Sequence, residues 1–127
     1  MTMAKILIVD DEIAIVNQLS ARLSAAGHAV VTARDGVEAT TVATREKPDL
    51  VILDFILPAA DGAKVHERLR RNAVNAALTP VIFFTGAPLD EVRMAVANDE
   101  ATRFLQKGED LAVLERMVGV LLGGPPP

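Results

Sequence analysis

Five side chains in this 127-residue chain are of types that together could handle a phosphoryl group: the carboxylates of Asp10, Asp11 and Asp54, the hydroxyl of Thr85 and the ammonium of Lys107. The acids and the threonine stand at the ends of short apolar runs, and Lys107 ends a shorter, more polar segment that reads as a further strand. Ile6-Leu7-Ile8-Val9 leads into Asp10-Asp11-Glu12, and Leu50-Val51-Ile52-Leu53 into Asp54. Val81-Ile82-Phe83-Phe84 leads into Thr85-Gly86, and Ala101 to Gln106 into Lys107. Runs this apolar, too short for a buried helix and rich in Val, Ile and Leu, suit strands covered on both faces. In a parallel sheet the carboxyl ends of such strands lie on one edge, where ligands bind. Three carboxylates gathered there repel one another unless a cation intervenes. Mg²⁺ suits them, because it prefers oxygen ligands and keeps several waters. Asp54 would then be a nucleophile forming an aspartyl phosphate, with metal and lysine stabilising the charge in transfer.

The rest of the chain supplies the elements that such a site needs. Ala4 to Val9 reads as a first strand, followed by a helix whose start the acids at 10–12 stabilise through its dipole. Ile15, Leu19, Leu23 and Ala26 mark its inner face, and Gly27 is a good stop. Ala29 to Ala33 reads as a second strand, and Asp35-Gly36 turns into a helix over Val37 to Glu46, which Pro48 ends. After the strand at Leu50 to Leu53, the loop Phe55 to Ala60 is too apolar for an ordinary solvated connection. Asp61 can cap a helix running to about Arg71, and the polar, alanine-rich Asn72 to Thr79 is expected to fray. Pro88 starts a helix with Leu89, Val92 and Val96 at helical spacing. Glu109 and Asp110 open a last helix carrying Leu111, Leu114, Val118 and Leu121. Strict strand–helix alternation with right-handed crossovers predicts an α/β fold, a parallel sheet with helices on both faces. There is no internal repeat and no sign of a second domain.

Composition narrows the classes. Half of the residues are hydrophobic and the formal net charge is −4, which argues against nucleic-acid binding by the domain's own field. With no cysteine, thiol catalysis and cysteine metal sites are excluded. The absence of a signal-peptide or membrane-length apolar stretch makes a cytoplasmic domain the expectation, with no membrane contact.

The segments Ile-Leu-Ile-Val-Asp-Asp-Glu at 6–12, Lys-Pro-Asp-Leu-Val-Ile-Leu-Asp at 47–54, Leu-Pro-Ala-Ala-Asp-Gly at 57–62, Val-Ile-Phe-Phe-Thr-Gly at 81–86 and Phe-Leu-Gln-Lys at 104–107 together resemble the receiver domain of bacterial two-component response regulators. The resemblance covers Lys5 to Leu122, so a receiver domain over 4–122 is expected. Gly123 to Pro127 then forms a Gly/Pro-rich tail, either a natural end or the start of a linker. It implies a flavodoxin-like five-stranded sheet in the order 2-1-3-4-5. It also implies that Asp54 is the phosphoacceptor, that Asp11, Asp54 and the backbone carbonyl of Ile56 bind Mg²⁺ directly and that Asp10 does so through a water. Thr85 and Phe104 resemble the family's switch pair. The phosphoryl donor would be a sensor histidine kinase or a histidine phosphotransfer protein. The output would leave by the face of the fourth helix, fifth strand and fifth helix, around Val92, Met94, Phe104 and Gln106, toward an output domain, a downstream protein or a homodimer formed on phosphorylation. Such a domain catalyses its own phosphorylation and dephosphorylation but acts as a signalling switch rather than an enzyme.

The chain departs from the family at Gly108, where a proline in a cis peptide usually follows the lysine, and at Glu100-Ala101 in place of Gly-Ala. A trans bond is expected at Lys107–Gly108, since cis costs about 2.5–4 kcal/mol without proline. These changes keep a second reading open, a pseudo-receiver that binds partners without phosphorylation. A hydrolase of the aspartyl-phosphate kind would need an acid–base residue and a cap, which are not visible in the sequence. A flavin protein would need a phosphate-cradling loop where Asp-Asp-Glu stands. Among single residues, His28 and His66 read as surface or strand-end positions, and Arg68, Arg70 and Arg71 as a solvated helix face. Phe83 and Phe84 read as core on opposite faces of their strand, and Ile13 as an exposed partner contact.

Overall fold

The computed structural model of the chain describes residues 4–71, 78–97 and 99–123. Five strands alternate with five helices: β1 (Lys5–Val9), α1 (Ile13–Ala25), β2 (Ala29–Ala33), α2 (Gly36–Glu46), β3 (Leu50–Leu53), α3 (Gly62–Arg71), β4 (Val81–Thr85), α4 (Leu89–Ala95), β5 (Thr102–Gln106) and α5 (Leu111–Leu121). The strands form one parallel sheet in the order β2-β1-β3-β4-β5, the flavodoxin-like order that the resemblance implies. Leu7 pairs with both Val31 and Val51, and Val51 in turn with Val81, so the apolar runs lie in register across the sheet centre.

Alternation along each strand sorts the core into two layers. Leu7, Val9, Val51, Leu53, Val81 and Phe83 face α2, α3 and α4, meeting Val42, Val65 and Val92. Ile6, Ile8, Leu50, Ile52, Ile82 and Phe84 face α1 and α5, meeting Leu19, Leu23, Leu114 and Val118. Phe83 and Phe84 thus fill opposite layers, as expected. Each fully buried side chain of this size contributes about 1.5–3 kcal/mol, which makes the central strands the rigid part of the molecule. No helix among the described residues is long and apolar enough to cross a membrane.

Caps set the helix starts. The Asp35 carboxylate accepts from the Glu38 N–H at 2.7 Å, Asp61 from the Lys64 N–H at 3.0 Å and Asp110 from the Ala112 N–H at 2.9 Å. The acids at 10–12 precede α1 rather than fill its first turn, and Ala26 is an exposed cap rather than a core position. Val96 lies beyond α4 in extended backbone, so that helix is only seven residues long. The expectation of fraying over Asn72 to Thr79 falls mainly on residues 72–77, which lie outside the described residues.

Two glycines hold the loop after β3. A Cβ on Gly62 would stand 2.4 Å from the Asp54 carbonyl oxygen, and one on Gly36 would stand 1.9 Å from that of Ala60. The Gly62 N–H donates to the Phe55 carbonyl at 2.8 Å, and the Gly36 N–H to that of Pro58 at 3.2 Å. Ala59 takes a left-handed φ of 68° between them. The loop is apolar because Phe55 and Leu57 pack against the core. Gly62→Ala should therefore push on the Asp54–Phe55 backbone and cost about 1–3 kcal/mol in urea unfolding. An unchanged midpoint and slope would refute this clamping.

Candidate functional site

The carboxyl ends of β1, β3, β4 and β5 meet on one edge, and there Lys107 reaches back across the sheet. Its ammonium lies 2.9 Å from Asp10 Oδ2, 2.9 Å from Glu12 Oε1 and 2.9 Å from Asp54 Oδ2. Three donors thus serve three carboxylates. Asp10 and Asp54 are buried, while Glu12 is exposed at the rim. Burial by itself would lower the lysine's pKa, but the hydrogen bonds it donates to Glu12, Asp10 and Asp54 outweigh it and raise it above its ordinary value. Burial raises the Asp10 carboxyl above the usual carboxylate range, only partly offset by the Glu12 N–H and Lys107.

Backbone groups aim the two buried acids. Asp10 Oδ1 accepts from the Glu12 N–H at 2.9 Å, and Asp54 Oδ1 from the Ile56 N–H at 3.2 Å, leaving one oxygen of each turned toward the ammonium. One carboxylate oxygen from each of Asp10, Glu12 and Asp54 lies within 4.8 Å of the others, a spacing that suits a hard cation. Carboxylate oxygens gathered at this spacing are the donors Mg²⁺ prefers, so the donor set fits it.

Comparison with known proteins bears on what such a site is. Residues 6–119 match the family described as Response regulator receiver domain. The chain belongs to this family. Protein PilH of Pseudomonas aeruginosa is 32% identical over 122 residues, which is 96% of this chain and all of PilH. The alkaline phosphatase synthesis transcriptional regulatory protein PhoP of Bacillus subtilis is 44% identical over 81 residues, 64% of this chain. The chain matches only 32% of PhoP's length. Among solved structures, the receiver domain of a Pseudomonas aeruginosa sensor histidine kinase, with magnesium coordinated in its active-site cleft, superposes with a TM-score of 0.82. It is 27% identical and covers 97% of this chain and 100% of its own.

Not every expected site residue joins the cluster of this receiver domain. Asp11 is exposed and its carboxylate is not among the three that meet. Glu12 takes part instead. It was visible as the third acid of the run, but sequence could not show that a helix N-cap position faces the β5 end. Thr85 is fully buried, and its hydroxyl accepts from the Ala87 N–H at 3.2 Å rather than bonding Asp54. Lys107–Gly108 is trans, as expected, and Gly108 takes a φ of +104°.

On the output face, Met94 is 89% exposed, as expected of a contact residue, but Val92 is fully buried. Val92 packs into the core layer under α4, so it cannot touch a partner. Gln106 is committed inward, its amide donating to the Ala87 carbonyl at 2.7 Å. Phe104 is half-buried, stacked on Phe83 at 5.6 Å with the Arg93 guanidinium 5.1 Å from its centroid.

Two surface readings are corrected. His66 is 1% exposed, its Nε2 lying 2.9 Å from Thr102 Oγ1 and its ring against Phe83. Arg70 is not a solvated cation: its Nε donates to Asp99 Oδ2 at 2.9 Å, Nη1 to the Thr79 carbonyl at 2.7 Å and Nη2 to Thr102 Oγ1 at 3.1 Å. Both residues lie on the side of α3 that faces β5, where spacing alone does not reveal buried polar partners.

Burial first, and Arg70 second, hold the His66 imidazole below its ordinary pKa of 6.5. A histidine kept neutral in the fold contributes stability above its unfolded pKa and loses it as pH falls below that value. Burial alone would raise Asp99, but Arg70 and Thr102 outweigh it and hold the carboxyl at about 2, so its contribution persists until pH falls below about 3.8. The melting temperature should therefore start to fall as pH drops below about 6.5, and His66→Gln should remove that first decline. The same curve for both proteins in circular-dichroism melts would overturn this assignment.

Proposed function

We propose that Asp54 is the phosphoacceptor of this receiver domain, taking a phosphoryl group from a sensor histidine kinase or a histidine phosphotransfer protein in a Mg²⁺-dependent reaction. The observation that carries this is the convergence of Asp10, Glu12, Asp54 and Lys107 at one sheet edge. Asp10, Asp11 and Asp54, with the Ile56 carbonyl, are the groups to hold the metal, Asp10 through a water. When bound, Mg²⁺ supplies positive charge against the phosphoryl oxygens. Asp54 would attack phosphorus through the oxygen that Lys107 now holds while the phosphorus–nitrogen bond to the donor's histidine breaks and that imidazole departs, and the ammonium follows the transferred group, where it neutralises an equatorial oxygen. The Thr85 hydroxyl, whose own proton has no acceptor among the described residues, can turn to donate to another.

The product is a conformational state. Thr85 moving toward the phosphoryl group releases space behind it for the Phe104 ring, and the β4–α4 segment follows because Gln106 ties it to β5. Partners respond in proportion to their preference for that state, about 1.4 kcal/mol for each tenfold. Met94 and the exposed side of α5 are the surface on which an output domain, a downstream protein or a second copy reads it. The decisive experiment is incubation with Mg²⁺ and acetyl phosphate followed by intact mass. No adduct on the unaltered protein would favour a phosphorylation-independent interaction module.

A further inference from the structure

We propose that His66 is a positioning residue for the switch: it sets the plane of the Phe83 ring on which Phe104 rests, and so how far Phe104 swings when Asp54 is loaded. This rests on the reading of Phe104 as the switch aromatic.

The argument starts from one hydroxyl. Thr102 Oγ1 donates its only proton to Asp99 Oδ1 at 2.7 Å and accepts from Arg70 Nη2 at 3.1 Å. Its remaining lone pair can only accept, so the contact with His66 Nε2 at 2.9 Å must be an N–H donated by the imidazole. The tautomer and tilt of the buried ring are thereby fixed from β5. Asp99 and Arg70 are themselves held, Asp99 Oδ1 also accepting from the Ala101 N–H at 3.0 Å.

The imidazole lies 5.5 Å from the Phe83 ring at 46°. Phe83 is fully buried, stacked on Phe104 at 5.6 Å and 9°, and meets Phe55 edge-to-face at 6.4 Å and 64°. Phe55 directly follows Asp54, and Phe83 pairs with Phe104 across the sheet. Thr102 and Phe104 are two residues apart on β5 and so share a face. The anchor and the moving ring therefore sit on one strand, with His66 and Phe83 closing the loop between them. The Arg93 guanidinium also lies over the Phe104 ring, 5.1 Å from its centroid. A ring that touches both a buried aromatic face and an exposed cation has two places to go, and the Phe83 tilt decides how well the inner one accepts it.

The test is ¹⁹F NMR on protein labelled with fluorophenylalanine, recorded with and without Mg²⁺ and beryllofluoride. The four phenylalanines can be assigned by single Phe→Leu changes. His66→Leu should still load beryllofluoride but lose about half or more of the Phe104 shift that loading produces. His66→Gln, which keeps a donor near the Nε2 position, should retain it. Thr102→Val, which removes the acceptor and keeps the shape, should repeat the leucine result if His66→Leu fails to fold. A full Phe104 response in His66→Leu or Thr102→Val overturns the inference while leaving the switch reading intact. If Phe104 is silent in the unaltered protein, the switch reading fails and this inference with it.

Discussion

Asp54→Asn should fold normally and take up no phosphoryl group from acetyl phosphate and Mg²⁺, its intact mass staying at that of the unmodified chain. Asparagine keeps the Oδ1 that accepts from the Ile56 N–H, so the local backbone has no reason to move. It removes one of three carboxylates gathered on a single ammonium, which relieves repulsion. The melting temperature should hold or rise while the adduct vanishes, because an amide is not a competent nucleophile in this chemistry. An undiminished adduct on the variant would place the phosphoryl group on another residue.

The second large effect should come from Lys107→Ala, with two consequences of opposite sign. The ammonium competes with any divalent cation for Asp10, Glu12 and Asp54, so removing it should tighten Mg²⁺ binding measured by calorimetry. At separations near 4–5 Å each carboxylate pair repels by about 1 kcal/mol in water and several times that near a protein surface, and the metal would relieve this. Phosphorylation should nevertheless slow by about 10²–10³-fold, the usual cost of losing one preorganised group that meets developing charge. A variant that binds Mg²⁺ more weakly and transfers as fast as the parent would remove Lys107 from the proposed machinery.

Much of this architecture could be read before any coordinates. The unbroken apolar runs at 6–9, 50–53 and 81–84 are diagnostic because strands buried on both faces leave no polar alternation to confuse the pattern. They also placed Asp10, Asp54 and Thr85 on one edge, since a parallel sheet allows no other arrangement of its carboxyl ends. What escaped was pairing between side chains distant in sequence. His66, Arg70 and Asp99 each look solvated on their own, and only the packing of α3 against β5 reveals them as one network, with His66 buried and the other two half-buried. Glu12 escaped for the same reason: its partner is 95 residues away. Val92 and Gln106 were placed on the outer face because a seven-residue helix and an edge strand give too short a pattern to orient.

Gly108 carries a consequence for anyone who wishes to rebuild this region. With φ at +104° it occupies backbone territory that a proline ring, fixed near −65°, cannot enter. The obvious repair, exchanging Gly108 for the proline that receiver domains usually carry, would force a different exit from β5 and take Lys107 with it. The two solutions are alternatives at the scale of the whole segment 107–110, so a graft would have to transplant that segment as a block. The reach of the lysine is a property of its loop, not of its own identity.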